Sequence, residues 1–348
     1  MSDNNSSTNS ATKPIDAVIL AAYLEKHVSG FSGPLVTEKF AGGQSNPTFL
    51  VTANSGKYVL RRKPPGELLK SAHAVDREFR VIAALANTDV PVAKVYHLCE
   101  DDNVIGSMFY IMEYIDGEVY WDPSLPGMNN STRKAMYSEM NRVLASLHSV
   151  DVSAVGLSDY GRPGNYFERQ IGRWTKQYRA AELEHIETME TLINWLPENM
   201  PVDGGQVSLV HGDFRLDNMM FHREKPEVLA LVDWELSTLG HPYSDLAYQC
   251  MPLRLGRTGK ILGLDGVDRQ SLGIPTEKEY VAEYCRRMGI DNIPHWNFYL
   301  IFNFFRFASI LQGVKKRALD GNASSADATA MGELVKPLAQ KAVELINE

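Results

Sequence analysis

The stretch "LVHGDFRLDNMMFHREKPEVLALVDWE", residues 209–235, constrains the fold more than any other part of the chain. It sets His211, Asp213, Asp217 and Asn218 between apolar runs that have the composition of strands. Met219 to Phe221 and Val228 to Val232 are two such runs, and the polar "HREKPE" between them reads as a turn. Paired as a hairpin, they return the end of the second run to the start of the first, which makes neighbours of Asn218 and Asp233. Polar side chains in a would-be core are costly unless partnered, so their concentration at one end of a hairpin predicts a site.

With 348 residues, 44% of them hydrophobic, the chain can bury a substantial core and divide into more than one lobe. A formal charge of -8 argues against a nucleic-acid or anionic-membrane surface, which would need a concentrated Lys/Arg excess. Cys99, Cys250 and Cys285 are far apart and lack metal-ligand spacing, so neither disulfides nor zinc is expected, and a cytoplasmic location is. Residues 1–14, rich in Ser and Asn without an apolar core, read as a disordered tail and not a signal peptide. The run "WNFYLIFNFFRFASIL" from Trp296 is short of a membrane span and contains Asn303 and Arg306, which predicts a buried helix. No membrane partner is expected, and the oligomeric state is not legible.

Periodicity orders the elements. Asp16 caps a short helix, and three segments between Pro34 and Arg62 have the pattern of consecutive antiparallel strands. Val75, Phe79, Ile82 and Leu85 share one face of the next helix, and strand composition returns on either side of "EDDN". Beyond about Tyr114 the chain reads as mostly helical, with "NYFERQIGRWTKQYRAAELEHIETMETLINWL" and the C-terminal "MGELVKPLAQKAVELINE" each a long amphipathic stretch and residues 208–235 the one β interruption. The expected fold is α+β and bilobal: an N-terminal lobe over 15–114 built on a small antiparallel sheet, and a large helical lobe over 115–348, joined near 113–117.

Asp213 and Asn218 are five positions apart, the offset of the Asp and Asn in the protein-kinase catalytic loop, and Asp233 follows a strand as the Asp of D-F-G does. In that chemistry the first Asp takes or orients the proton of the attacking hydroxyl, and the other two residues hold Mg²⁺ through hard oxygen ligands. In the small lobe, "FAGGQSNPTFLV" offers Gly42 and Gly43 for close backbone approach and Ser45 as a phosphate donor. "YVLRR" resembles V-A-I-K with Arg61 in place of lysine, and Glu78 on the following helix is placed to pair with it. Arginine is a planar fork where lysine is a compact ammonium, so its phosphate contact would differ. In "FYIMEYIDG" the Glu113 carbonyl and Ile115 N–H are the natural partners for an adenine ring, with Met112 packing above it.

Together these residues resemble the aminoglycoside phosphotransferase and choline kinase family, whose members have the protein-kinase-like bilobal fold. The resemblance rests on "HGDFRLDN", "VDWE" and "DLAY" and runs from about Leu35 to the C-terminus. "GGQSNPTF", "YVLRRKPPG" and "GLSDYGRPGNYFERQIGRW" look most like the kinase-like domain fused to certain acyl-CoA dehydrogenases. It implies an ATP- and Mg²⁺-dependent enzyme that phosphorylates a small-molecule hydroxyl, of hydroxyacyl-CoA type in that subgroup. Asp213 would then be the base, Asn218 and Asp233 the metal ligands, Gly42, Gly43, Ser45 and Arg61 phosphate contacts, Glu78 the partner of Arg61, and Glu113 with Ile115 the adenine contact. His211 and Asp245 would brace the loop, and Asp217 would orient Arg215 or cap the loop. The alternative is a nucleotide-binding pseudokinase that regulates or scaffolds a partner, for which Arg61 is the main support. Arg162, Tyr166, Phe167, Arg169, Arg173, Trp174 and Tyr178 suit either an anionic, partly apolar acceptor or plain packing of the large lobe. Phe304, Arg306 and Gln312 are further candidates for the acceptor cleft.

Overall fold

A computed structural model describes residues 15–40, 46–64, 74–202, 204–258, 261–320 and 328–348. The N-terminal tail and the phosphate-loop candidates Gly42, Gly43 and Ser45 lie outside the described residues. The chain divides into two compact units: Met1–Ala83 with Ala93–Ile115, and Ala84–Val92 with Asp116–Glu348.

The first unit opens with α1 (Ala17–His27), where Asp16 accepts from the Val18 and Ile19 amides at 2.9 and 3.1 Å, as its position predicts. Five strands follow: β1 (Leu35–Lys39), β2 (Thr48–Ala53), β3 (Gly56–Arg62), β4 (Val95–Cys99) and β5 (Phe109–Glu113). They pair antiparallel throughout in the order β1-β2-β3-β5-β4. A two-residue turn at Asn54–Ser55 fixes the β2–β3 register, so Phe49 and Val51 fall on the buried face while Leu50 and Thr52 do not. That face packs on Leu20 and Leu24 of α1 with Leu60, Phe109 and Ile111. Helix α2 (Val75–Leu85) follows β3 and buries Val75, Ile82 and Leu85, together with one carboxylate, Glu78.

The second unit contains α3 (Asn130–His148), α4 (Tyr166–Ala181) and α5 (Glu187–Glu198), then β6 (Ser208–Val210), β7 (Met219–Phe221), β8 (Val228–Leu231) and β9 (Thr238–Gly240). After these come α6 (Tyr243–Cys250), the short strands β10 (Arg257–Thr258) and β11 (Ile261–Leu262), α7 (Arg269–Leu272) and α8 (Glu277–Met288), and finally α9 (Trp296–Leu319), α10 (Ala328–Gly332) and α11 (Val335–Ile346). The hairpin foreseen from sequence is β7–β8, with Met219 opposite Leu231. The loop after α2 belongs to this unit, where the Leu231 amide donates to the Pro91 carbonyl at 2.9 Å.

Three sequence expectations need correction. The long stretch from Asn165 is two helices, α4 and α5, broken at Glu182–Ile186 where Arg179 turns to pair with Glu182 and Glu190. The C-terminal stretch divides likewise into α10 and α11, with Pro337 in the first turn of the second, where its missing N–H costs no helical bond. Residues 208–235 are not the only β structure of this unit: β9 pairs with β6, and β10 with β11.

The apolar run from Trp296 is α9, which packs on α4, α6 and α11. Its polar residues are engaged: Asn303 Nδ2 donates to the Ser244 carbonyl at 3.0 Å, and Gln312 Nε2 to that of Ala181 at 2.9 Å. No described helix is long and apolar enough to cross a membrane. All three cysteines are free and buried, and burial pushes the Cys250 and Cys285 thiols up. The folded protein should therefore resist Ellman's reagent for many minutes and release three thiols only on unfolding; rapid labelling of the native chain would contradict this burial.

Candidate active site

The loop leaving β6 has its backbone fixed before its side chains act. Asp245, at the start of α6 and completely buried, accepts the His211 amide on Oδ2 at 2.6 Å and the Gly212 amide on Oδ1 at 3.0 Å. His211 Nε2 lies 2.9 Å from the Val232 carbonyl, an acceptor only, so the proton is on Nε2 and Nδ1 accepts from the Asp213 amide at 3.3 Å. Gly212 has φ +81, and a Cβ there would stand 2.6 Å from the Leu236 carbonyl oxygen, so glycine alone fits. The sequence-predicted supports His211 and Asp245 thus meet through the backbone ahead of Asp213.

Asp213 itself is half-buried, between the buried anchors Phe214 and Leu216 on one side and Gly212 on the other. Asn218 Nδ2 donates to the Asp213 carbonyl at 2.8 Å and to its Oδ2 at 2.9 Å, which turns the Asn218 amide oxygen away from Asp213. Arg215 grips Asp217 with two hydrogen bonds, the local pairing that the sequence suggested for them.

The hairpin then delivers Asp233. The Val232 amide donates to the Asn218 carbonyl at 2.9 Å, which sets the strand end against the loop. Asp233 follows with φ 65 and ψ 60, a left-handed conformation that Asp tolerates better than most residues. Trp234 holds the turn, buried, with its indole N–H on the Leu231 carbonyl at 2.9 Å and its ring edge-on to His211 at 4.8 Å. Asn218 and Asp233 flank the two ends of one hairpin, and an amide oxygen and a carboxylate are hard donors of the kind that suit Mg²⁺ better than a soft metal.

In the other unit Glu78 is buried among partners. Arg61 Nε lies 2.7 Å from its Oε2, Asn46 Nδ2 donates to Oε1 at 2.7 Å, and the Tyr110 hydroxyl to Oε2 at 3.1 Å. The substitution of arginine for the expected lysine therefore leaves the pair with Glu78 intact. Glu113 ends β5 opposite Tyr58, and its carboxylate takes the Lys94 amide at 3.3 Å; Ile115 follows in the connector.

Several residues near Asp213 escaped the sequence reading. His148 Nδ1 meets the Tyr284 hydroxyl at 2.7 Å, and its Nε2 is 3.6 Å from Asp245 Oδ2. Tyr248, near the end of α6 and the last residue of the "SDLAY" segment, sits beside Asp213; burial and that carboxylate together hold its phenol well above the ordinary range. The aromatic residues of α4 face inward: Tyr166, Phe167, Trp174 and Tyr178 are buried, and Phe167 packs on Phe298, Tyr299 and Phe302 of α9. They are packing groups, and Phe304 and Gln312 are buried too.

Burial alone would raise the Asp245 carboxyl, but the His148 ring beside it and the amide hydrogen bonds from the loop outweigh it and hold the group below its usual range. A depressed carboxylate contributes stability that is complete above its unfolded value and lost as pH falls through the folded one. Asp245→Asn should cost about 1–3 kcal/mol by urea unfolding at pH 7, because one buried amide then faces an NH₂ group. That difference should shrink below about pH 4; equal stability at pH 7 would contradict the two-amide brace.

A profile of the family described as "Phosphotransferase enzyme family" matches residues 36–276. Mouse acyl-CoA dehydrogenase family member 10 is 52% identical over 92% of this chain but only 30% of its own length, and human family member 11 is 42% identical over 95% and 43%. The chain thus spans under half the length of these relatives. A Ralstonia eutropha structure provisionally named an aminoglycoside phosphotransferase aligns at 51% identity and TM-score 0.90, over 96% of this chain and 99% of that one. At the level of fold alone, choline kinase from Cryptosporidium parvum aligns at TM-score 0.65 and 12% identity over 95% and 97% of the two chains. The architecture is accordingly the α+β, bilobal kinase-like fold, and the chain belongs to the phosphotransferase enzyme family.

Proposed function

We propose that the chain is a Mg²⁺-ATP-dependent phosphotransferase that moves the γ-phosphoryl group to a hydroxyl of a small molecule. One observation carries this reading: Asn218 is locked to Asp213 by its amide nitrogen, while the backbone bond from Val232 to Asn218 closes the β7–β8 hairpin one residue before Asp233. A binding-only protein has no physical need for a positioned carboxylate and two oxygen ligands in that order.

In this reading Asp213 is the base. Its half-exposed carboxylate orients the acceptor hydroxyl and takes its proton as transfer proceeds. Asn218 and Asp233 hold Mg²⁺, which when bound neutralises charge on the phosphates. Arg61, kept in place by Glu78, contacts a phosphate; Gly42, Gly43 and Ser45 contribute backbone and hydroxyl donors; and the Glu113 carbonyl with the Ile115 amide takes the adenine. His211 and Asp245 keep the loop in register. Because the transition state is loose, the protein contributes mainly position and charge.

For the acceptor, the inward-facing aromatics of α4 remove the sequence argument for an apolar, ring-lined acceptor surface there. Hydroxyacyl-CoA-type alcohols are the class to test first, because the 42–52% identical relatives are named for acyl-CoA chemistry.

The test is transfer of labelled γ-phosphate from Mg²⁺-ATP to a panel of hydroxyacyl-CoAs, amino alcohols, sugars and aminoglycosides. Asp213→Ala should lower kcat by roughly 10²–10⁴-fold, and a loss under about tenfold would refute its role as base. Chelation of Mg²⁺ should abolish transfer. Tight nucleotide binding without transfer to any acceptor would favour the regulatory pseudokinase.

A further inference from the structure

An alternating stack of cations and rings runs through the second unit and ends at the Asp213 loop. Arg173, exposed on α4, lies over the Trp174 ring at 5.2 Å. Arg306 of α9 lies over the same ring at 5.6 Å and over the Tyr248 ring of α6 at 5.2 Å. Arg306 is buried, and its guanidinium donates to the Gly212 carbonyl. A guanidinium is costly to bury unless its charge is met; here two ring faces and a carbonyl dipole meet it. Tyr248, the second ring, lies near enough to Asp213 for that carboxylate, together with burial, to push its phenol up.

We propose that Arg306 is a positioning residue for phosphoryl transfer, fixing the Gly212 carbonyl and the Tyr248 ring and so holding the Asp213 carboxylate in one orientation. This rests on the reading of Asp213 as the base. Sequence placed Arg306 among the acceptor-cleft candidates; the structure gives it to the loop instead, from a helix beyond the residues 36–276 that match the family profile. Gly212 is the most permissive residue of the loop, and its two peptide groups are held from opposite sides, the N–H by Asp245 and the C=O by Arg306. Remove the second hold and the peptide before Asp213 keeps only the long 3.3 Å hydrogen bond from the Asp213 amide to His211 Nδ1. Lysine cannot substitute fully, because a compact ammonium neither stacks between two rings nor keeps a planar donor aimed at the carbonyl.

The experiment uses the full chain with Mg²⁺-ATP and water as acceptor, reading ADP release for the unsubstituted protein, Arg306→Lys and Arg306→Met. Both variants should lose about 10- to 100-fold in kcat, lysine less than methionine. KM for ATP should stay within about twofold at a folded fraction matched by circular dichroism, so that the loss in kcat is not a smaller active fraction. Hydrogen exchange at the Gly212, Asp213 and Phe214 amides should quicken in both. Arg306→Lys keeps the charge and the stem, so it carries the test if methionine prevents folding. A folded variant with unchanged kcat overturns the proposal, whatever its exchange rates. If the unsubstituted protein transfers phosphate neither to water nor to any acceptor of the panel above, the reading of Asp213 as base fails first, and exchange decides whether the clamp exists: unchanged rates overturn it as well.

Discussion

The Asp245 carboxylate holds the amides of His211 and Gly212 on its two oxygens, completely buried, and the candidate site is arranged around that contact. A carboxylate with no water near it must be met by donors or give up its charge. Two backbone amides and the His148 ring meet it, and in doing so they dictate where the chain goes after β6. From there His211 reaches the Val232 carbonyl, which ties the same loop to the end of β8. One buried charge thereby sets the positions of Asp213, directly, and Asp233, at one remove.

The polar groups of the site are thus divided between holding and acting. Asp245, His211, His148 and the nitrogen of Asn218 are committed to other protein atoms. Asp213 is the half-exposed member, and the oxygen of Asn218 is turned away from it. In the other unit Glu78 is likewise committed, buried under Arg61, Asn46 and Tyr110. Charge neutralisation by pre-set groups suits phosphoryl transfer, where little covalent help is needed.

Much of this was legible in the sequence because it depends on local spacing. A turn such as "HREKPE" between two apolar runs admits one simple pairing, and that pairing makes Asn218 and Asp233 neighbours. Asp16 and the strand alternation around Phe49 were readable for the same reason: caps and pleats have short periods. What depends on distant contacts was not readable. Nothing near Glu182 breaks a helix by propensity, yet α4 ends at Ala181, and Arg179 in its last turn pairs with Glu182 and with Glu190 of α5. Three-residue strands such as β9 carry too few residues to show a period. Arg306 and Tyr248 reach the loop from α9 and α6, and no spacing in a single chain announces such a meeting. Gly42, Gly43 and Ser45 lie outside the described residues and stand on the sequence alone.

In the proposed function the hairpin builds a metal site for a nucleotide from Asn218 and Asp233. The most direct measurement is calorimetric titration of a non-hydrolysable ATP analogue into the protein and into Asp233→Asn, each with and without Mg²⁺. Mg²⁺ should strengthen binding about tenfold or more in the unsubstituted protein, and Asp233→Asn should erase most of that gain. Binding of equal strength with and without the ion, or a gain that survives the substitution, would contradict it.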